Sequence, residues 1–118
     1  MFQPATLTTA FKRLTDARPY YVNIAIPGGT YRGVEVNTTT FGGITALFCR
    51  QDLSEEVVDK LMKALFEHPK EKAAIHPQAR QWNLENIFRG ADYTTKYIPF
   101  HPGVVKYLKE KGLWKGKG

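Results

Sequence analysis

The chain has 118 residues, 42% of them hydrophobic and 24% charged, with a formal net charge of +6. This length fits a single domain over residues 1–118, and the composition is that of an ordinary globular protein and argues against a disordered chain. Much of the charge lies near the C-terminus, where five lysines accompany one acid from Lys106 onward. A domain of this size buries a modest fraction of its surface, so self-association is one way of covering its apolar faces.

Cysteine content and hydropathy limit the class further. Cys49 is the only cysteine, so no intramolecular disulfide can form, and its place in an apolar run predicts a buried strand residue. No apolar run reaches the roughly 18 residues of a membrane span. Residues 1–10 lack the charged-then-apolar order of a secretory signal. The sequence as given therefore predicts a soluble chain without an export signal.

The first patterned segments are a helix and a strand. Apolar residues at helical spacing after Pro4 predict a helix from about Ala5 to Asp16; they are Leu7, Ala10, Phe11 and Leu14. After Pro19, aromatic and β-branched residues predict a strand over residues 20–26. Proline and two glycines at 27–29 end that strand in a turn.

A second strand and a long helix are predicted in the middle of the chain. The nearly continuous apolar run from Gly42 to Cys49 predicts a strand that is buried on both faces. Asp52 precedes Glu55 by three residues, as in a capping box. The helix that follows carries a double apolar stripe typical of a core face: Val57, Val58, Leu61, Met62, Leu65 and Phe66.

Short helices are predicted toward the end of the chain. Pro69 begins a helix through Ile75, and Pro77 interrupts it or begins the next turn. Asn83 is placed to cap a helix over residues 84–89, which Gly90 would end.

The last helix is predicted from about Pro102 to Lys111. Gly112 is its expected stop, and residues 114–118 are expected to form a loose tail.

The sequence predicts no catalytic centre, no metal site and no cofactor. His68, His76 and His101 lack any metal-binding spacing, and we expect His68 at a helix C-terminus and His101 orienting the turn before the last helix. Glu55 and Glu56 are adjacent, so they point in different directions from a helix and make a poor acid/base pair.

Nucleotide and nucleic-acid binding are also disfavoured. The glycine pairs at 28–29 and 42–43 match neither a dinucleotide-binding fingerprint nor a P-loop. The lysine-rich end, with Trp114 and Tyr107 as stacking residues, would suit nucleic acid, but the arginines are scattered rather than clustered. We therefore predict no nucleic-acid partner.

A polar connection between the two predicted strands is the best candidate for a binding site. It offers hydroxyls, a guanidinium and free backbone donors, an inventory that suits a carboxylate ligand. The alternative is a surface loop whose threonines only favour extended backbone. The candidate ligand-binding residues are Tyr31, Arg32, Thr38, Thr39 and Thr40, and Thr30 lies beside them.

Several short segments, taken in order, resemble the C-terminal part of the TAXI-type solute-binding proteins of TRAP transporters. The similarity runs from Tyr20 to Gly112, about four fifths of the chain. The segments are a tyrosine-rich strand, Ile26-Pro27-Gly28-Gly29-Thr30-Tyr31, a glycine-containing strand that ends at Arg50, Val57-Val58 with Lys63-Ala64-Leu65-Phe66-Glu67, and His101-Pro102-Gly103.

This resemblance implies a fold and a function. The fold would be a small α/β fragment of the type II periplasmic-binding-protein fold, with two or three strands and about four or five helices. The function would be the capture of a small organic acid or amino acid for a TRAP membrane permease in the periplasm, without catalysis. Tyr31 and Thr38 to Thr40 would lie nearest the cleft. Arg32 and Thr39 stand where the family usually has proline, so Arg32 is either an added carboxylate contact or an exposed charge.

The same resemblance leaves a second function open. The family's receptors have two lobes, and the chain matches only their last segment, so the sequence predicts either a truncated family member or the C-terminal region of a longer receptor. The alternative is a stand-alone α/β interaction module without transport activity, which pairs with itself as a homodimer or with another chain through an unsatisfied sheet edge.

Overall fold

The structure is a computed structural model that describes residues 4–116, with side chains from Thr8 onward. Within this range the chain forms five α-helices, one 3₁₀ helix and two strands, which confirms the predicted mixed α/β class. In chain order the elements are α1 (Pro4–Ala17), β1 (Tyr21–Ile26), β2 (Thr38–Gly43), α2 (Glu55–Phe66), α3 (Pro69–Ile75), the 3₁₀ helix (Pro77–Gln81), α4 (Ala91–Thr94) and α5 (Pro102–Glu110). Among residues 4–116 we find no helix with the length and hydropathy needed to span a bilayer.

The chain divides into two compact units. The hairpin unit comprises residues 4–46 and 89–94, and the helical unit comprises residues 47–88 and 95–116. The prediction of a single domain over residues 1–118 stays a prediction.

The hairpin unit is built on an antiparallel pair of strands. β1 and β2 pair in a register that joins Ile26 to Thr38 at one end and Tyr21 to Gly43 at the other. α1 and β1 fall where the sequence predicts them, although the side chain of Leu7 lies outside the described part. The ring of Phe41 contacts Phe11 of α1 at 6.2 Å and Tyr21 at 5.3 Å between centroids, so aromatic edge contacts hold the helix on the sheet.

The second strand was predicted in the wrong place. The strand is Thr38–Gly43 rather than residues 42–49, because β1 pairs along its whole length with residues 38–43. The apolar run that follows is left without a strand partner in the described part of the chain and is irregular. Leu47 and Phe48 are 59% and 56% exposed, and Cys49 is exposed, so the expected burial of this run is also wrong.

The helical unit has a compact core between α2 and α5. Ser54 caps α2, since its hydroxyl accepts a hydrogen bond from the Val57 N–H, so the capping-box prediction at Asp52 misplaced the cap by two residues. Val58 and Met62 of the predicted stripe are buried against Tyr107 and Leu108 of α5. The other edge of the stripe is exposed, at 47% for Val57 and 38% for Leu61.

The short helices follow the prediction in part. α3 and the 3₁₀ helix begin at Pro69 and Pro77, as expected. The helix predicted over residues 84–89 is wrong, because this stretch forms successive turns instead. Asn83 still acts as a local cap, accepting a hydrogen bond from the Asn86 N–H at 3.0 Å. Gly90 has the positive φ of 73° that the predicted stop requires.

The C-terminal end is packed as far as Trp114. Gly112, with φ of 70°, ends α5 as predicted. The expected loose tail is wrong for Trp114, whose half-buried ring lies 6.1 Å from Phe88 and 5.7 Å from Phe100. Residues 117–118 of the predicted tail lie outside the described residues.

Candidate functional site

The loop that joins β1 to β2, residues 27–37, contains two of the predicted ligand-binding residues. It folds back on itself through backbone hydrogen bonds: the Gly29 N–H donates to Val34 O at 2.7 Å, and the Val34 N–H donates to Tyr31 O at 3.1 Å. The Gly28 N–H donates to the Asn37 side chain at 2.9 Å. The loop is therefore a folded extension of the hairpin.

Glycine makes this folding possible. At Gly28 a Cβ would lie 2.1 Å from the carbonyl oxygen of Glu35, so only glycine allows the two sides of the loop to approach. Gly29 and Gly33 both have φ of 81°, which other residues rarely adopt. The sequence correctly placed a turn here, but the N–H groups of Gly28, Gly29 and Thr30 bond within the loop and are not free donors.

Tyr31 and Arg32 lie at the tip of the folded loop. The Tyr31 side chain is 61% exposed, and Arg32 is exposed as well. Among the described residues no carboxylate pairs with Arg32. Glu35 gives the same loop one negative charge beside the positive charge of Arg32. The tip therefore presents a phenol and an unpaired guanidinium to solvent.

The three candidate threonines are in β2 rather than in a connection. In the sheet, Thr38 and Thr40 share one face with their partners Ile26 and Ile24, whereas Thr39 lies on the opposite face. Thr38 and Thr39 are exposed, and Thr40 is half-buried. The five candidates therefore form a pair at the tip and a strand segment beyond the base of the loop.

The histidines have local structural roles. His101 caps α5, accepting the Gly103 N–H on Nδ1 at 3.0 Å, and its Nε2 bonds to Leu53 O at 2.9 Å, so its predicted role in orienting the turn is confirmed. His68 lies between the end of α2 and the start of α3, as predicted. Among residues 4–116 no three of the His, Cys, Asp and Glu side chains are grouped as metal ligands would be.

Sequence reasoning missed an ionic network between α2 and α5. The Glu67 carboxylate accepts hydrogen bonds from Lys111 at 2.9 Å and from the Tyr107 hydroxyl at 3.2 Å. The bond from Lys111 holds the pKa of Glu67 below its ordinary value, and the same pair raises the pKa of Lys111. Burial, followed by the charge of Glu67, raises the pKa of Tyr107. Because Glu67 and Lys111 are 44 residues apart, no local pattern announces this pair.

Lys72 is a second missed polar contact. Its ammonium donates to the carbonyl oxygens of Leu65 and Trp82 and lies 5.3 Å from the centre of the Phe66 ring. Burial lowers the pKa of Lys72. The side chain ties the end of α2 to the chain beyond the 3₁₀ helix, which is a structural role.

A shallow groove of about 550 Å³ lies beside α5 in the helical unit. Phe100, Pro102 and Val105 provide its apolar floor. Its rim carries both signs of charge, from Glu55, Lys106, Lys109 and Glu110. None of the five predicted ligand-binding residues lines it.

The described chain is a small mixed α/β protein with an exposed polar loop between its two strands. The model of the NMT1-like family matches residues 6–112. The chain therefore belongs to the NMT1-like family, a family of the periplasmic-binding-protein type. Because this is a family of binding proteins, the match confirms that the chain is related to periplasmic solute-binding proteins. A comparison with curated proteins gives no match.

Proposed function

We propose that the protein is the solute-binding component of a TRAP-type transporter, of the TAXI type, and takes a small organic acid or amino acid. It would act in the periplasm and deliver its solute to a membrane permease. The observation that supports this most is membership of a periplasmic-binding-protein family over residues 6–112. The order of the sequence segments from Tyr20 to Gly112 adds the TAXI assignment.

Arg32 is the centre of the proposed carboxylate site. A guanidinium binds a carboxylate through two parallel hydrogen bonds, and Arg32 forms no ion pair with any described carboxylate. Tyr31, its neighbour at the tip, offers a hydroxyl donor. The internal hydrogen bonds of the loop fix the backbone beneath both residues, which reduces the entropy lost on binding.

The threonines would extend the site along β2. Thr38 and Thr40 can direct hydroxyls to a ligand from one face of the sheet. Thr39 points to the opposite face, so we propose that the site uses Thr38 and Thr40 and not Thr39.

Isothermal titration with glutamate, succinate and 2-oxoglutarate tests the proposal. We expect binding by the natural chain and at least about tenfold weaker binding by Arg32→Ala, the loss of one charge-assisted contact. Arg13→Ala is the matched control, because Arg13 is also exposed but lies on α1. It removes the same charge and should leave the affinity within about twofold.

The two failures of this experiment have different meanings. No heat from the natural chain with any of these ligands would contradict carboxylate binding. Equal affinities of Arg32→Ala and Arg13→Ala would contradict the site and leave carboxylate binding standing.

A further inference from the structure

The hairpin unit has one sheet edge that the described chain leaves open. The Tyr21 N–H donates to Arg18 O rather than to β2, so the backbone groups of Tyr21 point away from the partner strand. In an antiparallel pair this direction alternates along the strand, so Asn23 and Ala25 point the same way. The contact of Asn23 supports this direction, because its carbonyl oxygen accepts a hydrogen bond from the Arg89 side chain and not from β2.

The same alternation fixes the outward groups of β2. The register joins Tyr21, Asn23 and Ala25 to Gly43, Phe41 and Thr39. The N–H and C=O groups of these three β2 residues therefore face away from β1. Within residues 4–116 none of them has a backbone partner outside the hairpin, and all three residues are exposed.

The two edges of the sheet are protected differently. Arg89 covers part of the β1 edge with a charged side chain. β2 has the sequence Thr-Thr-Thr-Phe-Gly-Gly and therefore lacks the charged residues and proline that often protect an edge strand against pairing. The hairpin unit also lacks a buried hydrophobic side chain among its described residues, since all four such side chains lie in the helical unit. A two-stranded sheet is only marginally stable by itself, and here α1 packs against it through Phe11 and Phe41.

We propose that the outer edge of β2 pairs antiparallel with β2 of a second copy, giving a four-stranded sheet across a two-fold axis at Phe41. In this register Phe41 faces Phe41 of the copy, and Thr39 faces Gly43. Each of the three outward residues then has a hydrogen-bonded partner. The strand is uncharged, so no like charges meet across the axis.

The flanks of β2 favour a second copy as the occupant. Val36 precedes the strand and is 71% exposed, and Ile44 follows it and is 39% exposed. An antiparallel copy brings the start of one strand beside the end of the other, so Val36 and Ile44 of the two copies come together at both ends. Two equivalent contacts, one at each end of the strand pair, thereby remove apolar surface from water, as the symmetry of a two-fold interface requires.

Proline at Gly43 is the sharpest test of this edge. Proline removes the N–H of residue 43, which points away from β1. Because proline is tolerated at such an edge position, the hydrogen bonds between β1 and β2 should be retained. Gly43→Ala is the matched control, because an added Cβ there meets nothing within 4 Å. In sedimentation equilibrium without ligand, we expect a dimer of the natural chain. Gly43→Pro should weaken it at least about tenfold, and Gly43→Ala should stay within about threefold. Circular dichroism melts check that all three chains are folded.

Disulfide trapping tests the register. In a Cys49→Ser background, chains with Thr39→Cys and chains with Gly43→Cys are mixed and oxidised. Hydrogen-bonded antiparallel pairs have Cα atoms about 5.5 Å apart, which a disulfide can bridge. We expect the mixture to form far more disulfide-linked dimer than either variant alone.

Three results would overturn the proposal: a monomer of the natural chain at all concentrations up to about 1 mM, a dimer that Gly43→Pro leaves intact, or equal trapping in the mixture and in the single variants. The interface does not depend on solute binding, and these readouts use no ligand. Failure here is therefore distinct from failure of the titration.

Discussion

His101 joins two parts of the helical unit through both nitrogens of its ring. Nδ1 accepts the Gly103 N–H at the start of α5, so in the neutral ring Nε2 carries the proton and donates it to Leu53 O. One side chain thus satisfies a helix N-terminus and fixes the segment before α2.

Replacing His101 should therefore reduce the free energy of unfolding by more than the loss of a helix cap alone would. We expect His101→Ala to lower the free energy of unfolding by about 1–3 kcal/mol, the sum of a lost cap and a lost hydrogen bond. His101→Asn should recover part of this, since asparagine is a good N-cap. Urea unfolding measures the difference. His68→Ala is the control, because His68 forms no side-chain cap bond and should change stability by less than about 0.5 kcal/mol.

Glu67 makes the stability of the helical unit depend on pH in the acidic range. Its pKa in the folded chain is below the ordinary value of 4.5, chiefly because Lys111 donates a hydrogen bond to it. The ionised carboxylate is therefore favoured by folding. Its contribution is fully present above pH 4.5 and is lost as the pH falls through the lower folded pKa.

Removing this carboxylate should flatten the acid limb of the stability curve. We expect the natural chain to lose more stability than Glu67→Gln when urea unfolding at about pH 3 is compared with unfolding at about pH 7. Glu85→Gln provides the control, because Glu85 is exposed and has no ionic partner among the described side chains. If Glu67→Gln and the natural chain lose stability equally, the ionic pair does not contribute to folding.

Among the helices, the close packing of α5 on α2 depends on Gly103. A Cβ at Gly103 would lie 2.8 Å from Val58 Cβ and 3.0 Å from Glu55 O, which are too close for van der Waals contact. The two helices approach so closely because position 103 has no side chain, and Val58 then fills the space with 2% exposure.

The expected outcome is a steric penalty that depends on Val58. Gly103→Ala should destabilise the chain by about 1–3 kcal/mol, as overpacking of a core does. In a Val58→Ala background the contact with Val58 Cγ1 is absent while those with the Cβ of residue 58 and with Glu55 O remain, so the added cost of Gly103→Ala should fall but not vanish. A double-mutant cycle in urea measures the coupling. Additive effects of the two substitutions would contradict the packing described.

The elements that the sequence predicted correctly have local signals. α1, β1, α3 and α5 are each marked by proline at their start or glycine at their end, and apolar spacing marks α1 and α2. β2 has no such signal, because its position is set by pairing with β1 and by the close approach of Gly28 to Glu35. An apolar run at 44–49 resembled a strand more than Thr38–Gly43 did.

In the candidate site too, features with a local sequence signal were predicted and features set by distant segments were not. Glycine and proline predicted the turn that presents Tyr31 and Arg32, but they do not reveal that the loop uses its own donors. Strand register places Thr39 on the face opposite Thr38 and Thr40, and that register is a long-range property. Pairs such as Glu67 with Lys111 also depend on packing of distant segments.

At the scale of the whole molecule, five of the 17 lysine and arginine side chains form ion pairs with acids in the described part of the chain. Acids pair with cations on several elements, as the ion pairs Lys12–Asp16, Arg50–Asp52, Lys60–Glu56, Lys63–Asp59 and Lys111–Glu67 show. Lys106 and Lys109 share the rim of their groove with Glu55 and Glu110. At these positions each positive charge has an acid near it, which weakens its attraction for a polyanion.

Weak binding to nucleic acid follows from this distribution and from the positions of the aromatic residues. Tyr107 is 1% exposed, and Trp114 packs against Phe88 and Phe100, so neither ring is free to stack on a base. We expect fluorescence anisotropy with a single-stranded oligonucleotide to give a Kd weaker than about 100 µM at about 150 mM salt. Lysine contacts alone would give binding only at low salt, because counterion release supplies its free energy. A Kd below about 1 µM at the higher salt would require a basic stacking surface, and the packing of these two rings would then have to change on binding.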